Sequence, residues 1–142
     1  MQQIIEFIQL HALLCLLWVV LLVAVIYSFV MPLMSKAKGI SYQRLTQIVN
    51  KEDGVVFDIR SADQYRKGHI SGAVNVPQSQ LKSGPYAAYE KYQQLPVIVT
   101  CDVGNQAGMI ARKLAKSGFE KVFYLQGGMN AWTGANLPLV KK

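Results

Sequence analysis

Nothing limits the fold of this chain more than one uncharged run, ALLCLLWVVLLVAVIYSFV from Ala12 to Val30, in which Ser28 carries the one aliphatic hydroxyl. A helix of about 20 apolar residues spans the hydrocarbon core of a bilayer. Before His11 the only charged side chain is Glu6, so the basic leader of a cleaved signal peptide is missing. The run also exceeds the roughly 7 to 15 apolar residues of such a signal. The expectation is a short N-terminal segment over 1–11 and a retained transmembrane helix over 12–31, leaving the rest of the 142 residues for one soluble domain.

Orientation follows from the flanks. Lys36, Lys38 and Arg44 follow the run closely, whereas Glu6 and His11 precede it. An excess of Lys and Arg marks the cytoplasmic side. The N-terminus is therefore expected outside and the domain in the cytoplasm, at the inner (plasma) membrane. The part beyond residue 35 holds all 15 Lys and Arg and all but one of the eight acids, a net charge of +8. These basic residues are scattered, with no Arg-rich stripe and no interleaved stacking aromatics, so a nucleic-acid partner is not expected. Attraction to the anionic leaflet that anchors the chain accounts for the charge.

The two cysteines, Cys15 in the apolar run and Cys101 far along the soluble part, do not suit an internal disulfide. Cys101 then reads as a lone thiol in a reducing compartment, open to a chemical role. With no C-x-x-C and no His/Cys cluster, no metal site is expected.

The segment 32–40 is polar and punctuated by Pro32 and Gly39, which predicts a juxtamembrane linker, with the domain over 41–138 and a basic tail over 139–142. Ser41 suits the N-cap of a helix through Asn50 that turns Leu45, Ile48 and Val49 inward. The β-branched run VVFDI predicts a buried strand, and Ser61 caps the short helix ADQYRK, ended by Gly68. A small strand precedes Pro77, two helical pieces flank Gly84-Pro85, and a third strand, VIVT over 97–100, stops at Cys101. A helix turning Met109, Ile110 and Leu114 inward, a strand KVFYL, the turn Gly127-Gly128 and a short helix bearing Trp132 complete the order. Strands alternating with helices predict an α/β fold, a parallel sheet flanked by helices.

The chemistry centres on T-C-D-V-G-N-Q-A-G, residues 100–108, between a buried strand and a helix. At the carboxyl end of such a strand ligands bind. A thiol there faces successive backbone N–H groups and the positive end of a helix dipole, both of which favour the nucleophilic thiolate. Gly104 supplies the backbone freedom a curled loop needs.

Five ordered motifs over roughly residues 40 to 138 make the sequence resemble the rhodanese (sulfurtransferase) family, in particular its short bacterial members with one membrane helix. They are Asp58-Ile59-Arg60; Gln64-Tyr65-Arg66-Lys67-Gly68-His69-Ile70-Ser71-Gly72-Ala73-Val74-Asn75-Val76-Pro77; Cys101-Asp102-Val103-Gly104-Asn105-Gln106-Ala107; Gly118-Phe119; and Gly127-Gly128-Met129-Asn130-Ala131-Trp132. The resemblance implies a rhodanese-like sheet in which Cys101 accepts sulfane sulfur from thiosulfate or a protein persulfide. It would then pass that sulfur to cyanide, a thiol or a protein acceptor. No cofactor is implied beyond the covalent persulfide. The amides of Asp102, Val103, Gly104, Asn105 and Gln106 would cradle it.

Asp58 and Arg60 are expected to form a framework ion pair, His69 to satisfy buried backbone, Trp132 to wall the core or pocket, and Gly127 and Gly128 to make a turn. The chain departs from the family pattern in three places. Gln106 stands where active members often carry Arg, Asp102 follows the cysteine directly, and Gln64 stands where Glu is frequent, which would leave Arg60 without its usual partner. The first removes a fixed cation that would help hold an anionic donor, and the second, pointing inward, would raise the thiol pKa, so weak thiosulfate activity or preference for a neutral or protein-bound donor is expected. A related phosphatase chemistry is not expected, because no Arg occurs between Cys101 and Arg112 to hold a phosphoryl group. The other reading is a tethered module that docks a membrane or cytosolic protein, with the thiol incidental.

Overall fold

In the computed structural model, residues 2, 7, 9–33, 37–84 and 86–141 are described, with the side chains of 31–33 set aside. The sequence features at Glu6, Lys36, Pro85 and Lys142 lie outside that set. Residues 1–35 and 36–142 form two units. In the first, helix α1 (Ala12–Leu33) carries the apolar run. Ala12–Val30 is long and apolar enough to cross a membrane, by length and composition.

The second unit is built on a five-stranded sheet in the order β1-β5-β4-β2-β3, every pairing parallel: β1 (Ala37–Ile40), β2 (Val55–Asp58), β3 (Val74–Asn75), β4 (Pro96–Thr100) and β5 (Lys121–Leu125). The central β4, PVIVT, is buried at all five positions, as expected of a β-branched run covered on both faces. Period-two alternation divides the core. Phe57, Val97 and Val99 face the side covered by α5 (Asn105–Lys116), where Ile110, Leu114 and Phe119 pack. Val56 and Ile98 face the other side, against Leu45 and Ile48 of α2 (Tyr42–Lys51) and Met129 and Trp132 of α6 (Gly128–Gly134). The registers Val56↔Ile98 and Phe57↔Val99 keep like faces together. The α/β class and the flanked parallel sheet expected from the sequence are what the chain adopts.

Local signals set several boundaries. The Ser41 side chain accepts the Arg44 N–H at the start of α2. Ser61 caps α3 (Ala62–Lys67) in a reciprocal capping box with Gln64. The polar stretch after Pro77 forms α4 (Gln78–Ser83) and a 3₁₀ turn (Ala87–Tyr92), the latter packing Tyr89 and Tyr92 on Phe57.

Four expectations need correction. The helix expected to end at 31 runs through Leu33, and the supposed linker over 32–40 contains β1, whose residues 37–40 pair with Val122–Leu125 at the sheet edge. The supposed basic tail is part of the domain too: Val140 pairs antiparallel with His69 through both backbone bonds, at 3.0 and 2.9 Å. In α5 the inward side chains are Ala107, Ile110, Ala111 and Leu114, while Met109 is 49% exposed. Small alanines let α5 lie close on the sheet, which turns Met109 outward.

Topology then places the site. From β2 the chain continues to β3 on one side, and from β4 to β5 on the other, so β2 and β4 flank the switch point of the sheet. A crevice at the carboxyl ends of such strands is where open α/β sheets bind ligands. Asp58 ends β2 there and Thr100 ends β4, with Cys101 next.

Candidate active site

Cys101 is 3% exposed and lies in the core beneath α5, yet its sulfur is not surrounded by apolar groups alone. The Gly104 N–H points at Sγ at 3.0 Å and the Ala107 N–H at 3.4 Å. Gly104 is the N-cap of α5 and offers no side-chain acceptor. The sulfur therefore occupies the place of the missing cap, in front of the first-turn amides and the positive end of the helix. A negatively charged sulfur accepts such bonds more strongly than a neutral one. Ala107 lies outside the loop set expected from sequence; its position as third residue of α5 was the available signal, since first-turn amides lack helical partners.

The far side of the loop is held by α6. Met129 N–H donates to the Cys101 carbonyl at 2.8 Å and Asn130 N–H to the Asp102 carbonyl at 3.0 Å. Because a trans peptide carries its C=O and N–H in opposite directions, these two bonds turn the Asp102 and Val103 N–H groups away from α6. Gly128 lies in the left-handed region, φ +57°, and a Cβ there would fall on the Cys101 carbonyl oxygen and within 2.7 Å of the Asp102 carbonyl. Its role exceeds the turn expected of it: it lets α6 approach the cysteine loop. Gly104, φ +94°, makes a similar approach, its would-be Cβ 3.0 Å from Gly127 N.

Of the loop residues expected to hold substrate, Asp102, Val103, Asn105 and Gln106 are exposed and Gly104 is buried. The Asp102 carboxylate is turned to the rim, where the Gln64 side-chain amide donates to both oxygens at 3.3 and 3.2 Å. That contact was not foreseen. A Gln beside an S-x-x-Q cap signature gives no hint of a partner 38 residues on.

The framework residues meet at the end of β2. Asp58, fully buried, accepts from Arg60 Nε at 3.0 and 3.1 Å, from Nη2 at 2.7 Å and from the Arg60 backbone N–H at 3.0 Å. Arg60 Nη2 also donates to Gly68 O at 2.8 Å. Arg60 is thus paired with Asp58, as expected of these two residues, although Gln replaces Glu at 64. Burial alone would lower the Arg60 pKa, but the bonds and charge of Asp58, with smaller attractions to Asp102 and Cys101, raise it above its ordinary value. His69 is 5% exposed, its Nδ1 2.8 Å from the Tyr65 carbonyl and its ring stacked on Tyr65 at 3.8 Å. Since a carbonyl only accepts, Nδ1 carries the proton there. The Tyr65 hydroxyl donates to Ala73 O, and burial followed by the Asp58 charge pushes that phenol up. Trp132 is core, its indole N–H donating to Pro138 O at 3.1 Å. No grouping of His, Cys, Asp or Glu suited to a metal occurs among the described residues.

The family model for the rhodanese-like domain matches residues 41–135. The chain belongs to the rhodanese family. A protein of Escherichia coli (strain K12) named uncharacterized protein YibN is 43% identical over 99% of both chains. A protein named thiosulfate sulfurtransferase GlpE, from Pseudoalteromonas translucida (strain TAC 125), is 33% identical over 69% of this chain and 90% of its own length. A rhodanese-related protein of Thermoplasma volcanium, 23% identical, superposes with a TM-score of 0.65 over 74% of this chain and 99% of its own, which shows the shared fold. Within that rhodanese fold Gln106 stands exposed at the loop, and Arg60, its side chain 10% exposed, is held by Asp58 at the end of β2.

Proposed function

We propose that the protein is a membrane-tethered sulfurtransferase or persulfide carrier working through Cys101. One observation carries the reading: backbone N–H groups of Gly104 and Ala107 aim at Sγ, a setting for a negatively charged sulfur and not for an inert buried thiol. In the first step the Cys101 thiolate attacks the outer sulfur of thiosulfate, or the terminal sulfur of a protein persulfide. A new S–S bond forms, the donor's S–S bond breaks, and sulfite or the donor thiolate leaves with the electron pair. Cys101 now carries a persulfide anion in reach of the loop amides. A thiolate or cyanide then attacks the terminal sulfur and expels the Cys101 thiolate, which closes the cycle without a cofactor. Asp102 at the rim and the neutral Gln106 disfavour a dianionic donor, which favours a protein-bound or neutral one in the physiological reaction.

The test is intact mass of the full chain after donor treatment. One added sulfur atom is expected, removed by cyanide and absent in Cys101→Ser. Gln106→Arg, which restores a loop cation, is expected to raise the rate of loading from thiosulfate about tenfold, in line with one charge-assisted contact. An unmodified Cys101 at high concentrations of both thiosulfate and a persulfide donor would leave the docking-module reading, in which the thiol is incidental.

The same proposal places α1 across the inner (plasma) membrane with the N-terminus outside and the domain in the cytoplasm. Its support is the length of the apolar run and the Lys38 and Arg44 that follow it. A thiol or protein acceptor in the cytoplasm and a membrane-protein neighbour are the partners this location offers. Protease added to intact spheroplasts is expected to spare the domain; digestion there would reverse the topology.

A further inference from the structure

Gln64 is engaged at both ends of its amide. Oε1 accepts from the Ser61 N–H at 3.3 Å and from Ser61 Oγ at 3.2 Å, completing the cap of α3, while Nε2 donates to the two Asp102 oxygens. The orientation is forced, since a backbone N–H can only donate and a carboxylate can only accept. One side chain thus links the start of α3 to the residue that follows Cys101. Only an amide does both: Glu would keep the cap but set a second carboxylate against Asp102, and a shorter polar residue would not reach.

We infer that Gln64 is a positioning residue for Cys101, its amide occupying the Asp102 carboxylate oxygens at the rim so that the charge is kept off the sulfur. This rests on the reading of Cys101 as the reacting group. Asp102 lies in the same loop as Cys101, and Arg60 at the end of β2 is electrostatically coupled to both Asp102 and Cys101 while Asp58 holds its guanidinium. The loop Arg that would offset Asp102 is replaced by Gln106, so the Gln64 amide is the direct side-chain partner Asp102 has among the described residues.

The experiment alkylates Cys101 in the full chain, in detergent micelles and with no sulfur donor present. Two reagents are compared, neutral iodoacetamide and anionic iodoacetate, and each thiol is followed by peptide mass so that Cys15 is read separately. Gln64→Glu preserves the S-x-x-E capping pattern and is expected to fold with unchanged thermal stability. It should lower the iodoacetate-to-iodoacetamide rate ratio about threefold to tenfold at low salt, as a second nearby exposed charge would. The deficit should shrink at about 1 M salt, where the screening length is roughly 3 Å. Asp102→Asn should raise the ratio. The pair Gln64→Glu with Asp102→Asn, which again sets one carboxylate against one amide, should return it to within about twofold of the parent.

A merely structural loss would slow both reagents alike. An unchanged ratio in Gln64→Glu, or no recovery in the pair, overturns the inference. If Gln64→Glu does not fold, Asp102→Asn decides alone, an unchanged ratio overturning it. Because alkylation needs no donor, a charge effect without persulfide loading would sink the sulfur-transfer reading and leave the Gln64–Asp102 coupling standing.

Discussion

Gly128→Ala is expected to reduce sulfur loading of Cys101 at least a hundredfold, the largest functional loss from any position outside the cysteine loop. The reason is where the new methyl group would go. It would meet backbone, the Cys101 carbonyl oxygen and the Asp102 carbonyl, and not the yielding end of a side chain. It would also sit at φ +57°, costing roughly 1 kcal/mol for a residue with a Cβ. To relieve the overlap α6 must retreat, and the bonds from Met129 N–H and Asn130 N–H to the loop carbonyls go with it. Those two bonds fix the peptide planes at 101–102 and 102–103, so the amides that should face the persulfide lose their direction. Preorganised amides of this sort are typically worth about 10²- to 10³-fold each.

Gly127→Ala provides the contrast. That glycine is also left-handed, φ +73°, but its Cβ would press on Ala131 within α6 and on nothing in the cysteine loop. It should cost stability in denaturant, about 1 to 2 kcal/mol, while keeping most of the loading. Initial rates of mass gain measured under conditions where both variants are folded separate the two. Equal losses in both would show that strain in α6, and not contact with the loop, is what matters.

What the sequence disclosed and what it hid follow from the range of the forces involved. The apolar run of α1, the buried β-branched β4 and the caps at Ser41 and Ser61 are written in neighbouring residues, and so were legible. Cys101 was legible because a strand, a glycine-bearing loop and a helix follow one another around it. Strand β1 was not. AKGI has a single β-branched residue, and its conformation comes from pairing with β5, more than 80 residues on. The bridge between His69 and Val140 is hidden in the same way. Met109 misled because an apolar residue beside Ile110 reads as inward until Ala107 and Ala111 are seen to take the inner face. The approach of Gly128 to Cys101 and the reach of Gln64 to Asp102 are contacts between elements, which no local pattern encodes.

Among single substitutions Arg60→Met is expected to be the most destabilising, by about 3 to 5 kcal/mol at neutral pH. Asp58 has no exposure, and four of the five donor contacts around the pair come from the guanidinium: three reach the carboxylate and one reaches Gly68 O. Removing them strands a buried carboxylate with the Arg60 backbone N–H as its remaining donor. Asp58→Asn should cost less, because the guanidinium left behind retains the Gly68 carbonyl and 10% exposure to water. The double variant should be less destabilised than the sum of the singles by about 2 kcal/mol or more, since once one charge is gone the other is only a liability. Denaturant midpoints at constant slope provide the measurement. The sign of the pH dependence follows from the raised pKa of Arg60: its contribution is fully present below the ordinary guanidinium value and fades only as pH rises through the still higher folded one. No alkaline loss of stability should therefore trace to this pair in the range where the protein works. The damage would reach the site directly, because the Ile59 N–H bond to Thr100 O ties the end of β2 to the residue before Cys101. A shift below about 1 kcal/mol in Arg60→Met would mean that water or another donor replaces the guanidinium, and that the cysteine loop does not depend on the ion pair beside it.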